Sequence, residues 1–136
     1  IPDISGAKMI KIKSLSLSIL VISLLLVSCA GSSAPADAVS AYWQAMVAKD
    51  AAQLSSLSCA DHEAEALITL ESFGMFEPVL SDLACNVVDE SGETATVHCA
   101  GTIEVSYGAE ILTIDLAERE YAVRKEGGDW RMCGAQ

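Results

Sequence analysis

The spacing of apolar residues along the chain changes near residue 79. Between residues 37 and 78, apolar side chains recur every three or four positions, a period that predicts amphipathic helices. From Val79 onward, apolar and polar residues alternate, which is typical of strands with one buried face. The chain is therefore predicted to fold as an α+β domain in which helices precede an antiparallel sheet.

The first two helices are predicted from this spacing and from aspartates near their starts. The first is expected over residues 37–49, with Asp37 as its cap. Its apolar stripe consists of Val39, Tyr42, Trp43, Met46 and Val47. Asp50 is expected to cap a short second helix, whose Leu54 and Leu57 face the core.

A third helix is predicted to begin near Asp61. Acidic residues cluster in its first turn, where the helix dipole favours negative charge. The residues of its expected apolar side are Ala64, Leu67 and Ile68. Gly74 and Pro78 are expected to end the helical half of the domain.

Residues 94–107 have the clearest strand pattern. The predicted buried face consists of Ala95, Val97, Cys99, Gly101, Ile103, Val105 and Tyr107. The pattern continues on the next strand through Leu112, Ile114 and Leu116. It then slips by one position before Tyr121, which predicts a β-bulge near Ala117 and Glu118. Gly127 and Gly128 predict a tight hairpin before a closing strand over residues 129–133.

Four cysteines follow Cys29 in the sequence, at positions Cys59, Cys85, Cys99 and Cys133. An even number in a small exported domain favours two disulfides. A hairpin centred on Gly92 would place Cys85 opposite Cys99, which leaves Cys59 to pair with Cys133. Three connectivities are open to four cysteines. A zinc site of four thiolates is the competing interpretation, but the cysteines lack the close paired spacing of such sites, and no metal or cofactor is expected.

Residues 1–36 have a different pattern, in which a short basic stretch precedes an apolar run. Residues 9–13 contain two lysines, and residues 15–27 are apolar apart from serines. The run is shorter than the about 20 residues that a membrane span needs, and it fits the apolar region of an export signal. Residues 26–29 (LVSC) place a small residue before Cys29, which resembles the lipobox of bacterial lipoproteins.

That resemblance implies a signal peptide over residues 1–28, cleavage before Cys29 and a diacylglycerol on its thiol. Residues 1–8 are interpreted as sequence upstream of a start at Met9, and residues 29–36 as the lipidated cysteine with a flexible tether. Residues 37–136 would form one domain, held by the lipid on the extracytoplasmic side of a membrane in the bacterial cell envelope. The alternative is an uncleaved membrane anchor with an incidental cysteine.

The charge of the domain limits its partners. Without residues 1–28, the chain keeps five Lys and Arg and eighteen Asp and Glu, a net charge of −13. Such a charge repels phosphate backbones, which argues against nucleic-acid binding. It also repels anionic headgroups, so the lipid on Cys29 is expected to hold the protein at the membrane without electrostatic help.

Two segments of the domain resemble small bacterial lipoproteins of the nuclear transport factor 2-like superfamily. One is the opening of the first helix, AVxxYWxAMxAKDxxxL over residues 38–54, and the other is the ending GDWRMC over residues 128–133. The resemblance covers about residues 37–134. It implies an α+β cone in which N-terminal helices and a curved antiparallel sheet enclose a pocket. Some members use that pocket for isomerase, cyclase or dehydratase chemistry, and others are binding or accessory modules.

Few residues offer acid–base chemistry for such a pocket. His98 lies on the polar face of its strand with Glu104 and Glu120 as possible partners, and it is expected to be solvated. His62 lies among acids in the first turn of the third helix and is also expected to be exposed. The aromatic residues that would line a pocket are Tyr42, Trp43, Tyr107, Tyr121 and Trp130, although at this spacing they are also typical core residues.

These features leave two main functions open. The preferred one is a non-catalytic module that binds a small apolar ligand or an envelope protein through the cone. The alternative is a small-molecule isomerase or dehydratase, which requires a buried carboxylate or histidine facing Tyr42 or Tyr121. A structural envelope protein without a ligand is a third possibility. The sequence contains no phosphate-binding loop, HExxH run or nucleophile elbow, and it does not predict an oligomeric state.

Overall fold

The structure, a computed structural model, describes residues 34–136. The predicted signal peptide, Cys29 and most of the predicted tether lie outside these residues. The helices are α1 (Pro35–Val47), α2 (Ala51–Leu57) and α3 (Glu63–Gly74). The strands are β1 (Val79–Ser91), β2 (Thr94–Tyr107), β3 (Glu110–Asp115), β4 (Glu120–Glu126) and β5 (Asp129–Ala135), with a 3-10 turn over Leu116–Glu118 between β3 and β4. Within residues 34–136, no helix is both long and apolar enough to cross a membrane.

The five strands form one antiparallel sheet with β2 at its centre. β1 pairs with one edge of β2. The other edge of β2 pairs with β3 along residues 102–107 and with β4 along residues 94–98. Strand β5 pairs with β4. The helices pack on one face of the sheet, and their apolar sides share a single core with that face. The predicted α+β architecture is confirmed.

The start of α1 differs from the prediction. The helix begins at Pro35 with Ala34 at the cap position, so Asp37 lies inside the first turn. Proline suits the first helical position because a backbone N–H at that position would have no partner within the helix, so its absence costs nothing. The predicted cap of α2 is confirmed, because Asp50 Oδ1 accepts a hydrogen bond from the backbone N–H of Gln53 at 3.0 Å.

The predicted buried face of α3 is wrong. Its buried residues are Ala66, Leu70 and Phe73. Of the predicted set, Leu67 is partly buried, Ala64 is exposed, and Ile68 is 65% exposed. Apolar residues occur on two sides of this helix, and the side that ends in Phe73 buries the larger side chains. The apolar spacing alone does not distinguish the two sides.

The alternation in β2 is confirmed from Ala95 to Val105, whereas Tyr107 at the end of the strand is 45% exposed. The predicted bulge after Leu116 is wrong. The chain instead leaves β3 through the 3-10 turn, which is capped by Asp115 and anchored by the buried side chain of Leu116, and then rejoins β2 as β4. Strands β3 and β4 pair with different halves of β2. The one-position shift in the apolar alternation before Tyr121 therefore marks a turn between these two strands.

The register of β1 against β2 depends on a bulge that the sequence did not predict. The hairpin turn consists of Gly92 and Glu93, so Ser91 pairs with Thr94. Continued without a break, that register would place Cys85 opposite Ala100. A register shift at Val88 moves Cys85 opposite Cys99.

A second register shift bends the same strand pair between Ser81 and Ala84. Gly101 faces this bulge with φ +121°, and a Cβ there would lie 2.9 Å from the carbonyl oxygen of Ser81. Only glycine accommodates both the backbone conformation and this approach. The bulge and Gly101 therefore contribute to the curvature that lets the sheet wrap around the helices.

Candidate functional site

A cavity of about 290 Å³ lies between the helices and the sheet. Tyr42 and Trp43 of α1 and Tyr121 of β4 form its aromatic wall, and Met46, Ile114 and Met132 add apolar surface. His62, at the start of α3, also lines the cavity. A concave site that combines aromatic and apolar walls with convergent polar groups is typical of small-ligand sites.

The three aromatic rings of the wall pack edge to face. The Trp43 ring lies 5.4 Å from the Tyr42 ring at an interplanar angle of 90°, and 5.7 Å from the Tyr121 ring at 71°. The Tyr121 hydroxyl donates a hydrogen bond to the carbonyl oxygen of Leu116 at 2.9 Å. This contact fixes the Tyr121 ring against the 3-10 turn, so the wall is held from both the helix and the sheet side.

The prediction that His62 is exposed is wrong. His62 is only 9% exposed, and its Nε2 lies 3.1 Å from the Tyr42 hydroxyl. The backbone N–H of Cys59 donates to Met132 of β5, and the N–H of His62 donates to Cys59, so the α2–α3 connection is fastened to the sheet. Gly134 lies beside the imidazole with φ +120°, a backbone conformation that favours glycine, and a Cβ there would come into van der Waals contact with His62 Nδ1 at 3.4 Å.

His62, Tyr42 and Glu65 form a polar cluster at the cavity. Glu65 Oε2 lies 3.7 Å from His62 Nδ1, on a side chain that is 79% exposed. This carboxylate favours the tautomer with its proton on Nδ1, in which Nε2 accepts the hydrogen bond of the Tyr42 hydroxyl. Burial, assisted by the charge of Glu65, raises the pKa of that hydroxyl, so Tyr42 stays neutral at physiological pH.

Charged side chains also border the cavity. Asp115, Glu118 and Arg119 line it around the 3-10 turn, and all three are exposed. With Glu65, three carboxylates and one guanidinium border the cavity. Burial raises the pKa of Tyr121 most, while Arg119 lowers it and Asp115 raises it.

Two of the five aromatic residues considered from the sequence do not line this cavity. Tyr107 packs against Phe76, with ring centroids 4.2 Å apart. Trp130 is buried in the core with the ammonium of Lys125 5.3 Å from its ring centroid. His98 lies on the polar face of β2, where its Nε2 is 3.3 Å from the carbonyl oxygen of Ala117.

The four cysteines of the described chain lie in two pairs at disulfide distance. The Cα atoms of Cys85 and Cys99 are 4.0 Å apart, and those of Cys59 and Cys133 are 4.9 Å apart. The second pair joins the α2–α3 connection to β5 three residues before His62. The sequence predicts this pair, and its closeness to His62 is the signal that indicates a position for His62 near the sheet. Residues 34–136 contain no cluster of three or more His, Cys, Asp or Glu arranged to hold a metal.

Comparison with known proteins identifies the fold only. No family model and no curated protein matches the chain. A proposed dehydratase of the nuclear transport factor 2-like family from Streptomyces avermitilis is 15% identical, with a TM-score of 0.52 over 73% of this chain and 89% of that one. A nuclear transport factor 2-like protein with a cystatin-like fold from Novosphingobium aromaticivorans is 15% identical, with a TM-score of 0.52 over 92% and 89%.

A variant of a Mycobacterium tuberculosis protein of unknown function is 14% identical, with a TM-score of 0.51 over 88% of this chain and 70% of that one. At such identities the likeness carries no activity or ligand from one chain to another. The order of three helices followed by a curved five-stranded sheet is the same as the fold of these neighbours. The chain has the α+β cone fold of nuclear transport factor 2-like proteins.

Proposed function

We propose that this protein is a lipid-anchored binding module of the bacterial cell envelope whose cone holds a small ligand. The observation that carries the proposal is the cavity walled by Tyr42, Trp43 and Tyr121, with the Tyr42–His62 hydrogen bond inside it. The apolar rings provide contact area, and the hydroxyl and imidazole groups orient a polar atom of the ligand. The volume of about 290 Å³ suits a compact molecule.

The anchoring part of the proposal rests on the sequence. Residues 26–29 resemble a lipobox, and a diacylglycerol on Cys29 supplies two acyl chains, enough for stable membrane attachment. Residues 30–34, which precede the first residue of α1, are small and uncharged, which suits a short tether. The cone would then work close to the extracytoplasmic surface of a membrane.

A second candidate function is acid–base catalysis of the isomerase or dehydratase type. It is favoured by the Tyr42–His62–Glu65 cluster, since it requires a buried histidine that faces Tyr42 in the cavity. In this second function, His62 would accept a proton from the substrate and return it, and Glu65 would orient the imidazole. Neutral Tyr42 would hydrogen-bond the substrate. A structural neighbour with the same fold is named as a proposed dehydratase, which is in keeping with this candidate.

A thermal-shift screen of small metabolites tests both candidates. A compound that binds the cavity is expected to raise Tm by about 10 °C at a concentration a hundred times its Kd. His62→Gln should lose most of this shift, because the substitution removes the imidazole from the Tyr42 hydroxyl. His98→Gln, on the outer face of β2, is the matched control and should keep the shift.

The fate of the bound compound then separates the two functions. Unchanged NMR spectra after prolonged incubation are expected for a binding module. Conversion that His62→Gln abolishes and His98→Gln preserves would establish the enzyme instead. A compound whose thermal shift is equal in all three proteins would bind outside the cavity and would count against both candidates.

A further inference from the structure

We propose that the ligand of this cavity is an organic cation, such as a quaternary ammonium compound, held by the aromatic wall and the acidic border. This inference rests on the proposed function, since it names the chemical class that the same cavity would take. Two features carry it, namely the arrangement of the rings and the balance of charge around them.

The three rings of the aromatic wall lie in different planes where they border the cavity. Trp43 stands nearly perpendicular to both Tyr42 and Tyr121, with ring centroids 5.4 and 5.7 Å apart. Rings in different planes cannot all stack on one flat ligand, whereas a rounded group in the cavity can contact the part of each ring that its neighbours leave uncovered. The negative faces of Trp and Tyr rings attract a cation within about 6 Å of the ring centroid, and desolvation strengthens the attraction.

The charges that border the cavity favour the same ligand. Glu65, Asp115 and Glu118 oppose the single guanidinium of Arg119, so an anionic ligand would meet net repulsion. Neither tyrosine is readily ionised, because burial raises the pKa of both hydroxyls. The carboxylates therefore supply the formal negative charge, while the rings provide an apolar surface that a strongly hydrated inorganic cation would not prefer.

The polar atoms inside the cavity are compatible with this class. When the Tyr42 hydroxyl donates to His62 Nε2, its oxygen retains lone pairs that accept a hydrogen bond from a ligand. A hydroxyl or N–H group on the ligand fits this position. A carboxylate or phosphate on the ligand does not, because no described cation other than exposed Arg119 lines the cavity.

Choline and 3,3-dimethyl-1-butanol, an uncharged alcohol of the same shape in which carbon replaces the quaternary nitrogen, provide a matched pair of probes. Isothermal titration of the full-length protein in a non-ionic detergent should show choline binding about tenfold more tightly than the uncharged alcohol. Glu118→Gln should weaken choline binding about threefold and leave the alcohol unaffected. Glu71→Gln combined with Glu110→Gln removes two exposed carboxylates that do not line the cavity, and it should change neither affinity.

Equal affinity for the two probes would overturn the cation inference while leaving the cavity as a binding site. The same conclusion would follow if the Glu71/Glu110 control weakened choline binding as much as Glu118→Gln does. No choline binding at millimolar concentration would also overturn it. The proposed function would then be decided separately by the metabolite screen, in which an uncharged or anionic compound would give a shift that depends on His62.

Discussion

Removal of the Cys59–Cys133 disulfide is expected to lower the free energy of unfolding by about 4–5 kcal/mol. The bond closes a loop with a sequence separation of 74 residues, and loop-closure entropy grows with the logarithm of the loop length. Such a loss is a large fraction of the stability of a small domain, about 5–15 kcal/mol. Cys59→Ala with Cys133→Ala, unfolded in urea and followed by tryptophan fluorescence, provides the measurement.

The matched control is Cys85→Ala with Cys99→Ala. This bond spans 14 residues, so about 3 kcal/mol is expected. Each pair contains one fully buried cysteine, Cys59 or Cys99, so the loss of packing is similar in the two variants. Equal losses, or a larger loss for the shorter loop, would contradict the dominant role of the longer connection.

Cys29→Ser is expected to convert a membrane-bound protein into one that is recovered almost entirely in the soluble fraction. Each buried CH₂ of an acyl chain contributes about 0.8 kcal/mol, so two chains hold the protein where one would release it. The domain offers no compensating attraction, because its net charge of −13 repels anionic lipids. Cell fractionation, with incorporation of radiolabelled palmitate, measures both the location and the lipid.

Ser28→Ala is the control for this experiment, since it keeps a small residue before the cysteine and should remain labelled and membrane-bound. If Cys29→Ser stayed in the membrane fraction, or the unaltered chain took up no palmitate, the anchor would be of another kind. A mature mass that still contained residues 9–28 would contradict cleavage before Cys29.

The strands of the sheet were largely predictable because the signals for a strand and for a tight turn lie in residues that are close together in the sequence. Alternation along β2 identified its buried face, and Gly127 with Gly128 identified the last hairpin. The opposition of Cys85 and Cys99 was predicted from a turn centred on Gly92. In the structure it arises from a two-residue turn followed by a bulge at Val88. A single added residue in a strand leaves too weak a signal in one sequence to be found.

The candidate site was predicted only in part, because its key residue depends on distant contacts. Tyr42, Trp43 and Tyr121 were identified as candidates from their helical or strand spacing. His62 lies among acids in the sequence and therefore suggests an exposed position. Its burial follows from the attachment of Cys59 to Met132 and Cys133 of β5, which lie more than 70 residues from Cys59 along the chain.

Occupancy of the cone cavity is measured most directly by native mass spectrometry of protein released from its own membrane in a mild detergent. A retained small molecule is expected on the unaltered protein. It should be absent from Ile114→Trp, whose indole would fill the cavity, and present on Ile111→Trp, whose side chain is exposed on the same strand. An unaltered protein that carries no small molecule and binds none from the metabolite screen, or a ligand retained equally by Ile114→Trp, would contradict the cavity as the functional site.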